Sequence, residues 1–322
     1  MANPGTPHRN VGMKEPAEKE LMMPSHMSRP LVCAALLLTG ATAFMVADLT
    51  GYQQPRGEPF TTSITKLKEG LYIIPGYDGA ATGGNVAVRV TSEGVVIVDD
   101  KLTGLYTDIV SKVKSVSPLP IKYVLNTHQH YDHTGANAAF LKTAEILMHR
   151  NARANMIAEK LPGPGRIVYN DRQSLFLGGI EIQMHYMGRG HTNGDSVIYF
   201  EDLKTVHTGD LVVWGKRSQG TTLTPNMDYS AGHGSGKEWV ATLDNVLKLD
   251  FDTAIPGHGP VLTKAQVKVF RDKMQTLNER MAALIKSGGR KQDIAARLKT
   301  DDLDWPFPAG ALDGLYDELS PR

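Results

Sequence analysis

Three histidines and one aspartate lie within residues 128–133, and their side chains are of the types that bind metal ions. Imidazole nitrogen and carboxylate oxygen are the usual protein ligands of zinc where no thiolate is present. The segment follows an apolar run that is typical of a buried strand. Extended backbone returns side chains to the same side at every second residue, so His128 and His130 can bind one ion. Asp132 and His133 lie beyond the predicted strand, where they can face a second ion.

Three further segments place a metal-binding type of side chain next to glycine. They are Gly190-His191-Thr192, Thr208-Gly209-Asp210 and Pro256-Gly257-His258-Gly259. Each follows an apolar run that predicts a strand, and ligands gather beyond the carboxyl ends of strands in layered α/β folds. Glycine beside a ligand also lets the backbone come close to a crowded centre. We therefore expect all four segments to meet at one metal site.

The elements that would position these residues alternate between strands and helices, which favours an α/β layered domain. Strands are predicted over residues 66–74, 86–90, 95–98, 121–125, 146–149, 175–177, 180–186, 197–200, 205–207 and 253–255. Helices are predicted over residues 105–116, 137–142, 151–160, 236–249 and 292–298, with a polar tail after the last. A long helix begins at the capping pair Thr263 and Gln266, and its apolar face extends from Val267 to Leu284.

Two acids and three further histidines lie beside the predicted strands. Asp99 and Asp100 end the second predicted hairpin strand, where they are either turn acids or carboxylates that orient the metal-binding loop. His149, His185 and His207 lie in or beside strand patterns. We expect these three imidazoles to be packed or hydrogen-bonded in the fold and to take no part in metal binding.

The nearly balanced charge excludes several kinds of partner. The chain of 322 residues has 35 basic and 34 acidic side chains, a net charge of +1 and no basic run. It therefore has no electrostatic footprint for nucleic acid and no polybasic signal for an anionic membrane. The single cysteine, Cys33, excludes both an internal disulfide and a thiolate metal site in the folded part. Any metal must therefore be bound by histidine and carboxylate.

The first residues of the chain are typical of an export signal. Residues 1–30 are polar and predicted to be disordered, residues 31–38 open an apolar run, and Ala41-Thr42-Ala43 fits a cleavage site. The run is shorter than the ~20 residues that a membrane-spanning helix needs, although an uncleaved anchor is the alternative. We expect a periplasmic or secreted protein that is cut near Ala43. The predicted divisions are a leader and linker over 1–60, a catalytic domain over 61–262, and C-terminal helices over 263–322 that pack on the same domain.

From about residue 67 to residue 258, the order and content of these motifs resemble the metallo-β-lactamase-fold hydrolases. The resemblance implies a four-layer αβ/βα sandwich with extra C-terminal helices and a two-metal site at one edge of the sheets. It implies a first ion held by His128, His130 and His191. It implies a second ion held by Asp132, His133 and His258, with Asp210 bridging the two ions.

Such a site implies hydrolysis. Two zinc ions per chain, with iron or manganese as alternatives, would lie about 3.5–4 Å apart and lower the pKa of a shared water from 15.7 to about 7. The resulting hydroxide would attack a carbonyl carbon while one ion polarises the carbonyl oxygen. Asp132 is the candidate catalytic residue, because it can orient the nucleophile and pass a proton to the leaving group.

The bridging aspartate narrows the reaction class. It resembles the glyoxalase II-like thioesterases and acyl-homoserine lactonases, whereas β-lactamase subclasses have cysteine, serine or a similar residue there. The main prediction is an exported dinuclear zinc hydrolase of an ester or lactone, a thioester or an amide. Three alternatives stay open: a true β-lactamase, a mononuclear iron oxidoreductase on the same fold, and a non-catalytic metal-binding protein.

The expected partner is a small-molecule substrate, and no oligomeric state is predicted. Tyr131, Asn193, Trp214 and Lys216 are candidate substrate-binding residues because they lie next to ligand motifs. The shape of the pocket is expected to come from two loops, around residues 76–85 and 214–236.

Overall fold

The structure is a computed structural model, and it describes residues 62–76, 82–217 and 220–321. The predicted leader, the export signal and the cleavage position near Ala43 lie outside these residues. Within the described ranges, no helix combines the length and the apolar character that crossing a membrane requires.

Within the described residues, the first sheet has seven strands that follow one another in chain order. They are β1 (Thr65–Lys68), β2 (Leu71–Ile74), β3 (Val86–Val90), β4 (Val95–Val98), β5 (Ile121–Leu125), β6 (Glu145–His149) and β7 (Ile167–Tyr169). The strands from β1 to β4 are antiparallel neighbours, and those from β4 to β7 are parallel neighbours. All four residues of β4 are buried, as expected for a strand that is covered on both faces.

The second sheet, counted over the same described residues, has six strands in the order β13-β12-β11-β10-β9-β8. They are β8 (Arg172–Leu177), β9 (Ile180–Tyr186), β10 (Ser196–Phe200), β11 (Thr205–Val213), β12 (Thr253–His258) and β13 (Leu262–Thr263). Strands β11 and β12 are parallel, and the other neighbours are antiparallel.

Helices cover the outer faces of the sheets. They are α1 (Tyr106–Val116), α2 (Tyr131–Thr134), α3 (Asn137–Phe140), α4 (Arg150–Ala158), α5 (Gly236–Val246), α6 (Lys264–Lys286), α7 (Ile294–Arg297) and α8 (Asp313–Leu319). One apolar cluster joins the facing sides of the two sheets, and it includes Val98, Leu125, Ile182 and Ile198. A second cluster lies between β10–β12 and the helices α5, α6 and α8. The predicted layered sandwich with extra C-terminal helices is therefore confirmed.

Helix α6 forms as predicted. The Thr263 side chain accepts a hydrogen bond from the backbone N–H of Gln266, and the Gln266 side chain accepts one in return from the backbone of Thr263. The six apolar residues predicted for its inner face are all buried: Val267, Phe270, Met274, Leu277, Met281 and Leu284. Each such side chain contributes about 1.5–3 kcal/mol on burial, so this face anchors the C-terminal helices to the second sheet.

Three predictions about the elements were wrong. The single strand over 66–74 is two strands, because the chain turns between β1 and β2. The strand predicted to end at residue 207 continues to Val213, with an irregularity in its pairing at Gly209. The φ of Gly209 is 51°, a left-handed conformation that glycine adopts readily. Asp210 therefore lies within a strand and not beyond one. The tail is not simply polar: it contains α8 and buries Leu303, Trp305, Leu312 and Leu315.

Candidate metal centre

The predicted ligand segments meet in space. Residues 128–133 follow β5 and enter α2, His191 lies between β9 and β10, Asp210 lies within β11, and His258 ends β12. In each of three groups, the potential ligand atoms lie within 4.8 Å of one another. The groups are His128, His130 and His191; His128, His133 and Asp210; and Asp132, His133 and His258.

We call His128, His130 and His191 the first trio. His130 Nδ1 lies 3.2 Å from His128 Nε2 and 2.8 Å from His191 Nε2. Three imidazole nitrogens that face one point in this way are a typical zinc ligand set.

We call Asp132, His133 and His258 the second trio. His258 Nε2 lies 3.0 Å from Asp132 Oδ2 and 3.3 Å from His133 Nε2. The side chain of Asp132 is 34% exposed, whereas those of His133 and His258 are 0% and 12% exposed. The carboxylate is thus the part of this trio that solvent reaches best.

Asp210 lies between the two trios. Its Oδ1 is 3.3 Å from His133 Nε2 and 3.6 Å from His258 Nε2, and its Oδ2 is 3.7 Å from His191 Nε2. Oδ1 is buried and accepts no hydrogen bond. A buried carboxylate oxygen without a donor needs a positive partner, so this atom fits a bound cation. Gly257 leaves it room, because a Cβ there would lie 1.9 Å from Asp210 Oδ1.

Burial prepares two imidazoles of the first trio for a cation. It lowers the pKa of His191 to about 4 and holds the pKa of His128 well below its ordinary value. Both rings are therefore neutral at pH 7 and keep a lone pair for a metal ion. Metal ligands must be deprotonated in this way.

The second trio has a different electrostatic character. Burial alone would lower the pKa of His133, but the carboxylates around it, Asp132, Asp210 and Asp99, raise it well above its ordinary value. Burial opposes ionisation of Asp210, yet the imidazoles of His258 and His133 hold its pKa well below its usual range. The raised pKa of His133 means that this imidazole holds a proton that a divalent cation can replace, since metal binding releases protons from its ligands.

Polar groups fix the ring orientations of the first trio. The far nitrogen of His130, Nε2, lies 2.9 Å from Asp228 Oδ2, and His191 Nδ1 donates to the carbonyl of Asn226 at 2.6 Å. Burial would lower the pKa of His130, but its hydrogen bond to Asp228 raises it. A carboxylate or carbonyl behind an imidazole sets the tautomer that leaves the other nitrogen free for metal.

Asp99 plays the corresponding part for the second trio. Its Oδ2 lies 2.8 Å from His133 Nδ1, and its Oδ1 accepts from the backbone N–H of Thr127 at 2.8 Å. The Thr127 hydroxyl donates to Asp99 at 2.8 Å and lies 3.0 Å from His128 Nδ1. Of the two interpretations given for the acids at residues 99 and 100, orientation of the metal-binding loop fits Asp99. Asp100 accepts from the backbone of Ala136.

Asn85 fixes the segment that carries His258. Its side-chain amide donates to the carbonyls of Pro256 and Gly259 at 2.8 and 2.9 Å, and its backbone N–H donates to Gly257 at 2.8 Å. Its carbonyl accepts from His207 Nε2 at 3.1 Å. Asn85 is fully buried, so these bonds face no competition from water.

The predicted substrate-binding residues lie in different settings. Tyr131 begins α2 and is half-buried, and Lys216 is exposed. The half-buried Trp214 packs on the apolar cluster between the second sheet and the helices α5, α6 and α8, and the Lys273 ammonium lies over its ring. The Asn193 side chain accepts from Asn155 Nδ2 at 2.9 Å. A substrate role for these four residues stays a prediction.

The three histidines predicted to be packed lie in structural contacts. His149 stacks on Tyr186 with ring centroids 4.2 Å apart, and the buried His207 bonds to Asn85. His185 Nε2 lies 2.9 Å from Gln183 Oε1.

Sequence reasoning missed Asp228, Asn226 and Asn85. Asp228 is 98 residues from His130, in a stretch without strand or helix. The available signal was that all three residues fall in the two loops predicted to shape the pocket, Asn85 in the loop around residues 76–85 and the others in the loop around residues 214–236.

Known proteins are similar to this chain in sequence and in fold. A family model described as the Metallo-beta-lactamase superfamily matches residues 80–258. A curated protein, Metallo-beta-lactamase type 2 of Bacillus cereus, is 28% identical over 250 residues, which cover 71% of this chain and 91% of that protein. The 2,4-dinitroanisole O-demethylase subunit alpha of Nocardioides sp. (strain JS1661) is 26% identical over 144 residues, 43% of this chain and 40% of that protein.

Among solved structures, a metallo-beta-lactamase from Pontibacter korlensis superposes with a TM-score of 0.57 at 20% identity. The match covers 67% of this chain and 99% of that chain. At this identity the likeness concerns the fold.

Proposed function

We propose that this chain, which belongs to the metallo-beta-lactamase superfamily and is a metal-dependent hydrolase, binds two zinc ions and hydrolyses a carbonyl-centred bond. The substrate class that we place first is the β-lactam ring. The observation that carries the proposal is the pair of trios with the bare Asp210 oxygen between them. The β-lactam ring is favoured by the Bacillus cereus relative, because the aligned region covers 91% of that protein.

Different residues would bind each of the two ions. The first trio would hold one zinc ion, the second trio the other, and Asp210 faces both. Zinc held by these residues would supply a lowered pKa for water, to about 7, and polarisation of a carbonyl oxygen. The imidazoles of His128, His133 and His191 are buried, so they limit the access of water from the protein side.

Asp132 is suited to move a proton. It is the ligand side chain with 34% exposure, so its carboxylate reaches the space that a substrate must enter. The imidazoles of His133 and His258 oppose the effect of burial and lower its pKa, so the carboxylate is ionised at pH 7 and can accept a hydrogen bond from the attacking water. We assign it the transfer of a proton from that water to the leaving group, which is the nitrogen of an opened amide.

A second candidate substrate class is an ester, a lactone or a thioester. The observation that favours it is Asp210 itself, because a carboxylate facing both trios resembles the ligand set of lactonases and thioesterases. The same groups act on either class, since each presents a polarised carbonyl carbon and a leaving group that takes a proton.

One experiment ranks the two classes. The zinc-loaded protein is assayed against nitrocefin, a penicillin, a γ-lactone and a glutathione thioester under identical conditions. The proposal expects kcat/KM to be highest for a β-lactam, and the second candidate expects it to be highest for a lactone or thioester. His149→Ala is the matched control, because it removes a stacked imidazole and should leave zinc content near two per chain. Absence of turnover on all four substrates, with zinc bound, contradicts the proposed hydrolysis.

We also propose that the chain is exported through the signal at residues 31–43. The apolar run and the Ala41-Thr42-Ala43 site support this. Expression in a bacterium, followed by fractionation and N-terminal sequencing, should find protein outside the cytoplasm that begins after Ala43. A full-length cytoplasmic product contradicts export.

A further inference from the structure

The last helix of the described chain contacts the loop that orients the first trio. We define the orienting loop as residues 226–236, which precede and enter α5. The loop supplies the Asn226 carbonyl behind His191 and the Asp228 carboxylate behind His130. It has little regular structure of its own, so its position depends on contacts from elsewhere.

Glu318, on α8, makes several of these contacts. Its Oε2 accepts from the Tyr229 hydroxyl at 2.8 Å and from the backbone N–H of Lys237 at 3.1 Å. Its Oε1 accepts from the Ser235 hydroxyl. One half-buried carboxylate therefore joins the start of the loop, at Tyr229, to its end, at Ser235.

Tyr229 is held firmly in this arrangement. Its hydroxyl accepts from the backbone N–H of Gly236 at 3.2 Å while it donates to Glu318. Burial, reinforced by the Glu318 charge, raises the pKa of Tyr229, so the hydroxyl keeps the proton that it donates. Gly314 of α8 lies against the tyrosine ring, where a Cβ would come within 2.2 Å of Cδ2.

Asp228 adjoins Tyr229 and is tied to the same loop. Its backbone N–H donates to the carbonyl of His191 at 3.0 Å, and its carbonyl accepts from Gly234 at 2.7 Å. Its Oδ1 accepts from the backbone N–H groups of Ser230 and Ala231 at 3.2 and 3.0 Å. Asp228 and Tyr229 are chain neighbours in one hydrogen-bonded loop, so the contacts that hold Tyr229 also hold the backbone that carries the carboxylate facing His130.

We propose that Glu318 is a positioning residue of the first metal site. It holds the orienting loop so that Asp228 and the Asn226 carbonyl set the two imidazoles of the first trio. This inference rests on the proposed function only in taking the first trio as a zinc site. Glu318 makes no contact with the second trio, so its effect is confined to one half of the centre.

The test measures zinc affinity at each half separately. Zinc binding to the apoprotein is followed by chelator competition, in a His258→Ala background for the first half and a His191→Ala background for the second. Glu318→Ala should weaken the first half about tenfold, which is the usual size for a group that orients a ligand. It should leave the second half unchanged. Glu318→Gln keeps an acceptor oxygen and the side-chain shape, so it should restore most of the affinity.

Two controls separate positioning from general stability. Asp317→Ala removes the exposed neighbour on the same helix, which pairs with Lys291, and should leave the first half unchanged. Because Glu318 acts in part through Asp228, the double variant Glu318→Ala/Asp228→Asn should lose less first-half zinc affinity than the sum of the two single losses. Full additivity of the two effects contradicts this route.

Hydrogen exchange of the apoprotein tests the loop directly. Amides of residues 226–236 should exchange faster in Glu318→Ala than in Asp317→Ala. Unchanged first-half affinity in Glu318→Ala, or equal losses in both halves, overturns the inference. Absence of zinc binding by the wild-type protein would instead overturn the proposed function, while the exchange result still decides whether Glu318 holds the loop.

Discussion

The two halves of the candidate metal centre present similar potential ligands but are supported by different parts of the fold. The second trio is oriented from the interior: Asp99 contacts His133, and Asn85 holds the segment of His258. Both supporting residues are fully buried beside the sheets. The first trio is oriented by Asp228 and Asn226, which lie in a loop on the side of the C-terminal helices. Ligand identity alone therefore does not determine how firmly a metal site is held.

This difference has an energetic meaning. Asp99 and Asn85 satisfy buried polar groups, so their removal must cost folding free energy as well as metal affinity. Asp228 acts from a loop, and replacing it with asparagine keeps the oxygen that accepts from Ser230 and Ala231, so this change should cost zinc affinity with a smaller loss of stability. The two halves should therefore respond differently to equivalent substitutions.

The largest effect is expected where the halves meet. Asp210→Ala removes the carboxylate between the trios and should lower turnover about a thousandfold, because ~4 kcal/mol of charge stabilisation is lost. The second half should lose more zinc affinity than the first, since Asp210 Oδ1 lies 3.3 Å from His133 whereas Oδ2 lies 3.7 Å from His191. Kinetics and zinc titration check both statements. Full activity with two zinc ions would show that Asp210 does not join the halves.

The support of the first half should also depend on pH. Asp195 bonds to the backbone N–H and hydroxyl of Thr192, next to His191, and burial raises its pKa to about 7. The folded state then holds a proton that the unfolded state releases near pH 4, so stability falls as pH rises from about 4 to 7. Between pH 5 and pH 8 the loss is about 2–3 kcal/mol.

Chemical denaturation of the metal-free protein measures this slope. Asp195→Asn removes the titrating group and should lose less stability between pH 5 and pH 8 than the wild type. Parallel profiles for the two proteins would exclude Asp195 as the source.

Asp99→Asn tests the interior support. The variant replaces a charged acceptor behind His133 with a neutral amide, and it should weaken zinc binding in the second half by up to about 100-fold. The free energy of unfolding should fall by about 1–3 kcal/mol, because Asp99 is fully buried and bonded to Thr127. Zinc titration and urea denaturation of the same preparation give both numbers. Unchanged stability would contradict the view that this half is built into the core.

The smallest effect is expected from Asp228→Asn. Zinc affinity should fall about tenfold in the first half alone. The free energy of unfolding should fall less than in Asp99→Asn, because the asparagine oxygen still accepts from the backbone N–H groups of Ser230 and Ala231. A loss of stability as large as that of Asp99→Asn would remove the distinction between the halves.

The candidate ligands could be predicted from the sequence because each is marked by the residue types immediately around it. His128, His130 and Asp132 belong to one segment, and the later ligands each follow an apolar run. The strands and α6 could be predicted because the spacing of apolar residues and the helix-capping residues are visible within a few positions of the sequence. Such signals do not depend on distant residues.

The supporting groups depend on contacts that span long stretches of chain. Asp228 and His130 are 98 residues apart, and Glu318 and Tyr229 are 89 residues apart. An acid in a polar loop or tail has the same appearance whether it is solvated or paired. The length of β11 was missed for a related reason: Gly209 and Asp210 suggest the end of a strand, but parallel pairing with β12 extends it.

Gly257 has a consequence for the carboxylate that lies between the two halves. No methyl group fits beside Asp210 at this position, where the clearance to Oδ1 would be 1.9 Å. The position of the Asp210 carboxylate between the two trios thus depends on the absence of a side chain on the neighbouring strand. A larger residue at position 257 would displace that carboxylate, so the segment that ends in His258 also determines where Asp210 can lie.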